Sequence, residues 1–498
     1  MAVRPWAWLR AGWRRAAARR GRGGGGQART TRSRTVRRPG DVVLRRRRVQ
    51  TEVFALERPR RMIRLRPTPW YLVGAFGAAI LIGAALLSLP WASESGRWTN
   101  GLDALFTATS AVCVTGLVRV DTAEHWSGFG EAIIIALIQI GGLGVTIYAG
   151  SLLVLLGRRF GLRGSSLFGM ELTGSGEWDI GRLLRRVLIY VAVAELLTFL
   201  LLLPWFLIEF GGAGAAWSAL FHAVSAFNSA GFDLMGGRQS FQAQIGAPYP
   251  LIVMGVAAFL GSLSFVTVFD LRRGWRRWSL DTRMVVLMMA GLLVGCMALF
   301  LAAEVQSGRV LDGRTPLEAL VNSFFLSVNR TTGMSAVDMG ALQDVTTVVL
   351  LPLMFIGGAS TSTASGIKVG TFVVGLAVVV SSLRGRHQAE LFGREIPHAV
   401  VLRAIAVVLL GVVALTVGVV AMMLAEDGPV LPLVFEAMSG LANVGWSQGV
   451  TATLSGAGTA ILIVLMFVGR LAPLMVALTV PDRGQARYRY PAEGVRIG

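Results

Sequence analysis

Charge is scarce in this sequence. Of 498 residues only 15% are Asp, Glu, Lys or Arg, whereas 54% are hydrophobic; a soluble chain carries roughly a quarter charged residues. The shortage argues against a soluble enzyme, and the apolar content against a disordered chain. Lysine is nearly missing, with Lys368 the single example. Cysteine is limited to Cys113 and Cys296, and the four histidines are scattered, so neither a disulfide framework nor a metal-ligand pattern is encoded. Both cysteines read as structural. A Gly-x4-Gly-Lys-Ser/Thr phosphate cradle is absent, as are paired carboxylates at catalytic spacing and a nucleophile beside a base. The chain is therefore not expected to be an enzyme, nor to hydrolyse ATP itself.

What the sequence has instead is long apolar runs, at about 69–92, 131–157, 186–208, 246–270, 284–303, 345–383, 402–425 and 457–480. A membrane-crossing helix needs about 20 such residues, so these predict an all-α integral membrane protein with eight transmembrane helices. The sixth run is too long for one crossing. It is interrupted by Gly357-Gly358-Ala359-Ser360-Thr361-Ser362-Thr363-Ala364-Ser365-Gly366, which reads as a non-helical insert at membrane depth, tolerated only where it is buried in protein or lines water.

The net charge of +20 is local. Residues 1–66 hold 21 Arg against Asp41, Glu52 and Glu57, leaving +2 for the rest. This Gly-Arg segment reads as a disordered tail, held at anionic lipid rather than on nucleic acid, and the lack of an apolar run behind its first arginines argues against a signal peptide. Arginines also cluster after even-numbered runs, as at Arg272, Arg273, Arg276, Arg277 and Arg283, while the other connections carry Asp121, Asp233 and Asp338. The excess of basic residues on one side places both termini in the cytoplasm.

Each outer connection holds a segment too short to span: FTATSAVCVTGL (106–117), FHAVSAFNSAGF (221–232), SFFLSVNRTTGM (323–334) and FEAMSGLANVGW (435–446). All four fit Ser-x5-Gly, at Ser110/Gly116, Ser225/Gly231, Ser327/Gly333 and Ser439/Gly445, with the glycines 115, 102 and 112 residues apart. A second echo follows 25, 30, 24 and 24 residues later, at Gly141, Gly261, Gly357 and Gly469. The repeating unit is helix, half-helix, glycine loop, helix, four times over. This predicts fourfold pseudosymmetry around one pore, with repeats at 67–160, 182–272, 280–385 and 398–482, an intramembrane loop at 357–367, and a short tail at 483–498.

A half-helix entering from outside aims its partially negative C-terminal end at the bilayer centre, which favours a cation. Returning as extended backbone, glycine allows the dihedrals that turn carbonyls toward a common axis. Four such loops, Val114-Thr115-Gly116, Ser229-Ala230-Gly231, Thr331-Thr332-Gly333 and Asn443-Val444-Gly445, form a ring of neutral, hard oxygens able to replace the water shell of an alkali cation. Asp121, Asp233 and Asp338 lie within five residues of their glycines. They either cap loops at a wet surface or form a cation-attracting rim. Arg470 falls inside the eighth run, and Lys368 where the sixth resumes; an ionisable group inside a span usually meets a partner or water. Lys368 has an alternative reading, snorkelling to the headgroups. Glu195, within the third run, reads as a structural hydrogen-bonding group before a coupling carboxylate.

Thr109-Ser110-Ala111-Val112-Cys113-Val114-Thr115-Gly116-Leu117, Ser225-Ala226-Phe227-Asn228-Ser229-Ala230-Gly231-Phe232, Met354-Phe355-Ile356-Gly357-Gly358 and Met466-Phe467-Val468-Gly469-Arg470 resemble the Trk/Ktr/HKT superfamily of potassium transporters. The Ktr membrane subunits look most similar, over about 69–480. The resemblance implies a single-chain pore in the plasma membrane, a homodimer, and a cytosolic nucleotide-binding RCK-type regulatory subunit. It also implies a gate under the filter, formed by Gly357, Gly358, Ser360, Thr361, Gly366 and Lys368 with Arg470. Met334 and Trp446 stand where the family usually has Phe or a smaller side chain, and the insert lacks the expected Pro and additional Gly. In plant relatives a Gly-to-Ser exchange in the first loop accompanies sodium preference; here all four glycines are retained, which favours K+ as the transported ion over Na+. A sodium-permeable or sodium-coupled version and a transport-inactive membrane homologue are the alternatives.

Overall fold

The computed structural model describes residues 70–159, 180–237, 240–305, 309–386 and 388–479. The Arg-rich segment 1–66 and the segment 483–498 lie outside the described residues.

The described chain is almost wholly helical, with one two-residue hairpin, β1 (Glu390–Leu391) and β2 (Arg394–Glu395). The helices are α1 (Trp70–Leu87), α2 (Gly101–Cys113), α3 (Thr122–His125), α4 (Gly128–Arg159), α5 (Ile180–Glu209), α6 (Gly212–Asn228), α7 (Pro248–Ser262) and α8 (Phe265–Leu271). They continue as α9 (Leu280–Glu304), α10 (Pro316–Asn329), α11 (Asp344–Phe355), α12 (Val369–Leu383), α13 (His398–Ala425), α14 (Val430–Ala442) and α15 (Gly456–Thr479). Among the described residues five helices are long and apolar enough to cross a membrane, and a sixth crossing is made if α7 and α8 act as one. This is a membrane protein.

The fourth apolar run is not the straight helix expected over 246–270. It bends by 99° between α7 and α8. The bend falls at Leu263 and Ser264, directly after Gly261-Ser262. Ser264 leaves the helical path, and its Oγ accepts the N–H of Val266 at 3.2 Å, capping a new helix. The sixth run divides as its composition predicts, into α11 and α12 with the insert between them.

Of the short helices α2, α6, α10 and α14, the first and third begin at side-chain caps. Asn100 accepts the N–H of Leu102 at 2.9 Å to begin α2. Thr315 and Glu318 form a reciprocal capping box, with Pro316 in the first turn, to begin α10. Their inner halves are buried, continuously from Phe106 to Cys113 in α2 and from Phe435 to Ala442 in α14. Packing follows a cyclic order: α4 lies against α6, α7 against α10, α11 against α14, and α15 against α2. Each helix leaving one unit thus supports the short helix of the next, and the last supports the first.

Candidate functional site

The short helices end in a shared backbone device. After α2, α6 and α14, the residues Val114, Ser229 and Asn443 turn left-handed (φ 56°, 59° and 50°). The following N–H groups of Thr115, Ala230 and Val444 then donate to the carbonyls of Ser110, Ser225 and Ser439 at 2.8, 2.8 and 2.9 Å. The serine hydroxyls explain the spacing of the motif in the first and fourth units. Ser110 Oγ accepts from the N–H of Gly116, and Ser439 Oγ from that of Gly445, both at 3.1 Å. Ser225 Oγ instead donates to the Phe232 carbonyl at 2.6 Å. The third unit departs: Ser327 donates back to Ser323, α10 ends a residue earlier with Arg330 as its right-handed cap, Thr331 lacks the positive φ of Val114, Ser229 and Asn443, and both Thr332 and Gly333 donate to the Asn329 carbonyl.

These turns bring the four glycines together. All have positive φ, 92° at Gly116, 75° at Gly231, 89° at Gly333 and 101° at Gly445, where a side chain is strained. There is also no space for one. A β-carbon on Gly116 would lie 2.5 Å from the Ala230 carbonyl oxygen and 2.8 Å from the Gly231 α-carbon. On Gly231 it would lie 3.4 Å from the α-carbon of Gly333; on Gly333, 2.8 Å from that of Gly445; on Gly445, 3.2 Å from that of Gly116. The glycines touch in chain order and close on themselves. Side-chain bonds fasten adjoining loops: Asn443 Nδ2 donates to Thr115 Oγ1 at 2.9 Å, and Trp446 Nε1 to the Met334 carbonyl at 3.1 Å. The carbonyl oxygens of Thr115, Ala230, Thr332 and Val444 each lie 2.1 to 2.5 Å from the β-carbon position of a glycine in an adjoining loop.

All four glycines line one cavity of about 100 Å³, shared with Asp121 and Asp233. Asp121 caps α3, accepting from the N–H groups of Ala123 and Glu124 at 2.9 and 3.0 Å. Asp233 accepts from Met235 N–H at 3.0 Å. Burial raises the Asp233 carboxyl to about 6, against hydrogen bonds from Met235 and Ser240, with the nearby Asp121 charge adding to the rise. Asp338 is exposed, caps Gly340 N–H at 2.9 Å, and is not among the residues lining the cavity. Sequence reasoning missed two residues that brace the same mouth. His222 Nε2 accepts from Leu234 N–H at 3.1 Å, and the buried Glu436 accepts from Gln448 N–H at 3.1 Å and from Ser447 and Thr451. Both lie three residues before the motif serine, which is the signal that would have found them.

On the other side of the ring lies the insert. Its edges are paired as a parallel bridge, Ile356 with Ile367, where Gly357 N–H donates to Ile367 O at 2.8 Å and Ile367 N–H to Phe355 O at 3.1 Å. Gly366 (φ 77°) and Thr361 (φ 64°) make its turns. The bend in the fourth run lies against it. Ala359 N–H donates to Ser262 O at 3.0 Å, Thr363 Oγ1 to Gly261 O at 2.8 Å, and Ser264 and Thr361 hydroxyls pair at 2.6 Å. Val369 N–H closes on Gly358 O at 2.9 Å. Thr363 Oγ1 also reaches the Phe227 carbonyl, at the end of α6, at 3.2 Å, so the insert is hydrogen-bonded directly to the base of the second glycine loop.

Arg470 is buried and donates to the insert through Thr363 O at 2.9 Å and Ser365 Oγ, and to Gly141 O at 3.2 Å. Lys368, half-buried ahead of α12, donates to the Ala364 carbonyl. Its amine therefore turns into the insert rather than along the helix to a headgroup. Ser360 is the half-exposed residue of the loop. The second glycine echo has a steric cause: at Gly141, Gly261 and Gly469 a β-carbon would collide with the carbonyls of Val112, Phe227 and Leu441, the last turns of three short helices. Glu195 accepts from Gln139 at 2.6 Å and Asn228 at 2.8 Å, tying α4, α5 and α6 together.

Comparison with known proteins places this geometry. Residues 72–482 match the family profile described as TrkH, a cation transport protein. The chain is 34% identical over 443 residues to the Ktr system potassium uptake protein B of Bacillus subtilis, covering 88% of this chain and 98% of that protein. It is equally 34% identical over 450 residues to the potassium/sodium uptake protein NtpJ of Enterococcus hirae, with 88% and 99% covered. Its backbone is similar to the crystal structure of the potassium transporter TrkH from Vibrio parahaemolyticus, with a TM-score of 0.65 at 17% identity over 86% of this chain and 87% of that one.

Proposed function

The chain belongs to the TrkH family of cation transport proteins, and from that premise we propose that it takes up potassium through a filter built by its four glycine loops. The observation that carries this reading is the closed contact of Gly116, Gly231, Gly333 and Gly445 around one small cavity. Oxygens from these loops replace the hydration shell of K+, at no cost in protein charge. The C-terminal ends of the short helices lend partial negative charge beneath them, and Asp121 and Asp233 concentrate cations at the mouth. The relatives' names support K+ as cargo, and the potassium/sodium uptake protein keeps Na+ as the second reading.

In this reading α4 and the divided sixth run bring the crossings to eight, arranged as four repeats with fourfold pseudosymmetry. The repeats take the boundaries 67–160, 182–272, 280–385 and 398–482. The insert at 357–367 is the gate, with Arg470 and Lys368 as its cationic fastening. A guanidinium under the ring opposes a permeating cation unless the insert moves. Both termini face the cytoplasm of a plasma-membrane protein, two copies pair, and a separate nucleotide-binding RCK-type subunit regulates them. The name "Ktr system" of the Bacillus relative supports a multi-component assembly. The test is rescue of a bacterium lacking its own potassium uptake. Growth at micromolar to millimolar K+ is expected, and failure by a chain that reaches the membrane sinks the proposal.

A further inference from the structure

A second buried arginine stands at the base of the ring, and the sequence segment SFFLSVNRTTGM hides it in a polar run. Arg330 is only 3% exposed. Its Nη1 donates to the carbonyls of Leu353, at 3.2 Å, and Ile356. Its Nη2 faces the sulfur of Met289 at 4.0 Å. A buried guanidinium without a carboxylate partner needs another source of negative potential. Two helix ends supply it. Arg330 is the residue on which α10 terminates, and Leu353 and Ile356 belong to the last turn and cap of α11. Both C-terminal dipole ends therefore converge on one cation.

The placement has two further consequences. Thr331, Thr332 and Gly333 follow Arg330 directly, so its backbone begins the third glycine loop. That loop is the one whose cap differs: its short helix ends one residue earlier, capped by the right-handed Arg330, and Thr331, in register with Val114, Ser229 and Asn443, lacks their positive φ. Ile356, held by the side chain, is the residue at which α11 ends and the insert begins, paired with Ile367. One residue thus grips the filter loop through its main chain and the insert through its guanidinium. Arg470 holds the far limb of the same insert, at Thr363 and Ser365.

We propose that Arg330 is a positioning residue that couples the third glycine loop to the insert, so that cation occupancy of the ring sets the conformation of the insert. The proposal rests on reading the ring as the ion filter. It is tested by amide hydrogen exchange on the full chain in lipid nanodiscs, in K+ against choline, for the native protein, Arg330→Lys and Arg330→Gln. In the native protein K+ slows exchange of the third loop (330–334) and also of Gly357, Ile367 and Val369, by about threefold or more at the insert, the size of ordinary site-to-site coupling. In Arg330→Gln the loop keeps its response and the insert loses it; Arg330→Lys, with charge but no fork of donors, retains part. An insert that responds to K+ as strongly in Arg330→Gln as in the native protein overturns the coupling, as does a native insert that ignores K+ while the loop responds. K+ changing neither region would instead count against the filter reading. If Arg330→Gln does not fold, Arg330→Lys decides: a full native response at the insert overturns the proposal.

Discussion

Trp446 Nε1 donates to the main-chain carbonyl of Met334 at 3.1 Å, so the two residues that follow the third and fourth glycines and stand apart from the family pattern are partners. Both are buried, and they lie one residue past the glycines of adjoining loops. Trp446→Phe keeps the ring volume nearly filled but leaves that carbonyl buried without a donor, which costs about 1–3 kcal/mol. Thermal unfolding of the purified protein should show a lower midpoint, with discrimination between K+ and Na+ little changed because the glycine contacts are untouched. A loss of discrimination without a loss of stability would show that the bond sets ring geometry instead.

Arg470→Ala removes donors from Thr363, Ser365 and Gly141 at once. The insert then loses its far anchor, and the cationic obstruction below the ring goes with it. Tracer flux in proteoliposomes should show increased leak or weaker ion discrimination. Unchanged flux would remove Arg470 from gating and leave it a packing role.

Much of this organisation was legible because backbone chemistry leaves regular marks. Ser110/Gly116 and Ser439/Gly445 share a spacing because in both the hydroxyl accepts the glycine N–H. Gly141, Gly261 and Gly469 recur since the carbonyls of Val112, Phe227 and Leu441 occupy the place of a side chain. The bend at Leu263 and Ser264 was not legible. Ser264 caps the helix that follows, and the insert, about 100 residues away in sequence, takes up the freed carbonyls of Gly261 and Ser262. Arg330 escaped notice for a related reason. Its partners are main-chain oxygens of α11, which leave no complementary charge to read.

The mouth carboxylates predict a pH dependence. Asp233 titrates near 6 rather than at its ordinary 3.8, because burial disfavours the charged form. As pH falls through 6 it gains a proton and the mouth loses negative charge. The apparent KM for K+ should rise across that window with the maximal rate nearly constant. Asp233→Asn should show the higher KM at neutral pH and a flatter profile. Stability moves the other way: a carboxyl held above its unfolded value favours folding at acid pH, and that contribution is lost as pH rises from about 4 to 6. Asp121→Asn combined with Asp338→Asn tests the other two carboxylates, and removing the Asp121 charge also relieves part of the rise at Asp233. The pair should lower uptake at limiting K+, and no change would take those two out of the mechanism.

The ring itself makes the most demanding prediction. At Gly116 a β-carbon would meet the Ala230 carbonyl oxygen at 2.5 Å on a backbone held at φ 92°. Left-handed backbone alone costs a side chain about 1–3 kcal/mol, so Gly116→Ala should still insert and remain folded. The obstacle, however, is main chain of the neighbouring loop, which cannot rotate aside as a side chain would. Relief must come from moving Ala230, and through Gly231 the displacement passes to Gly333 and Gly445. Gly116→Ala should therefore abolish or strongly reduce high-affinity K+ uptake while leaving the protein monodisperse, whereas Gly274→Ala, at positive φ but with no atom within 4 Å of the added carbon, should leave uptake largely intact. If both variants transport alike, the contact between loops has no part in selecting the ion, and strain at positive φ is all that the glycines relieve.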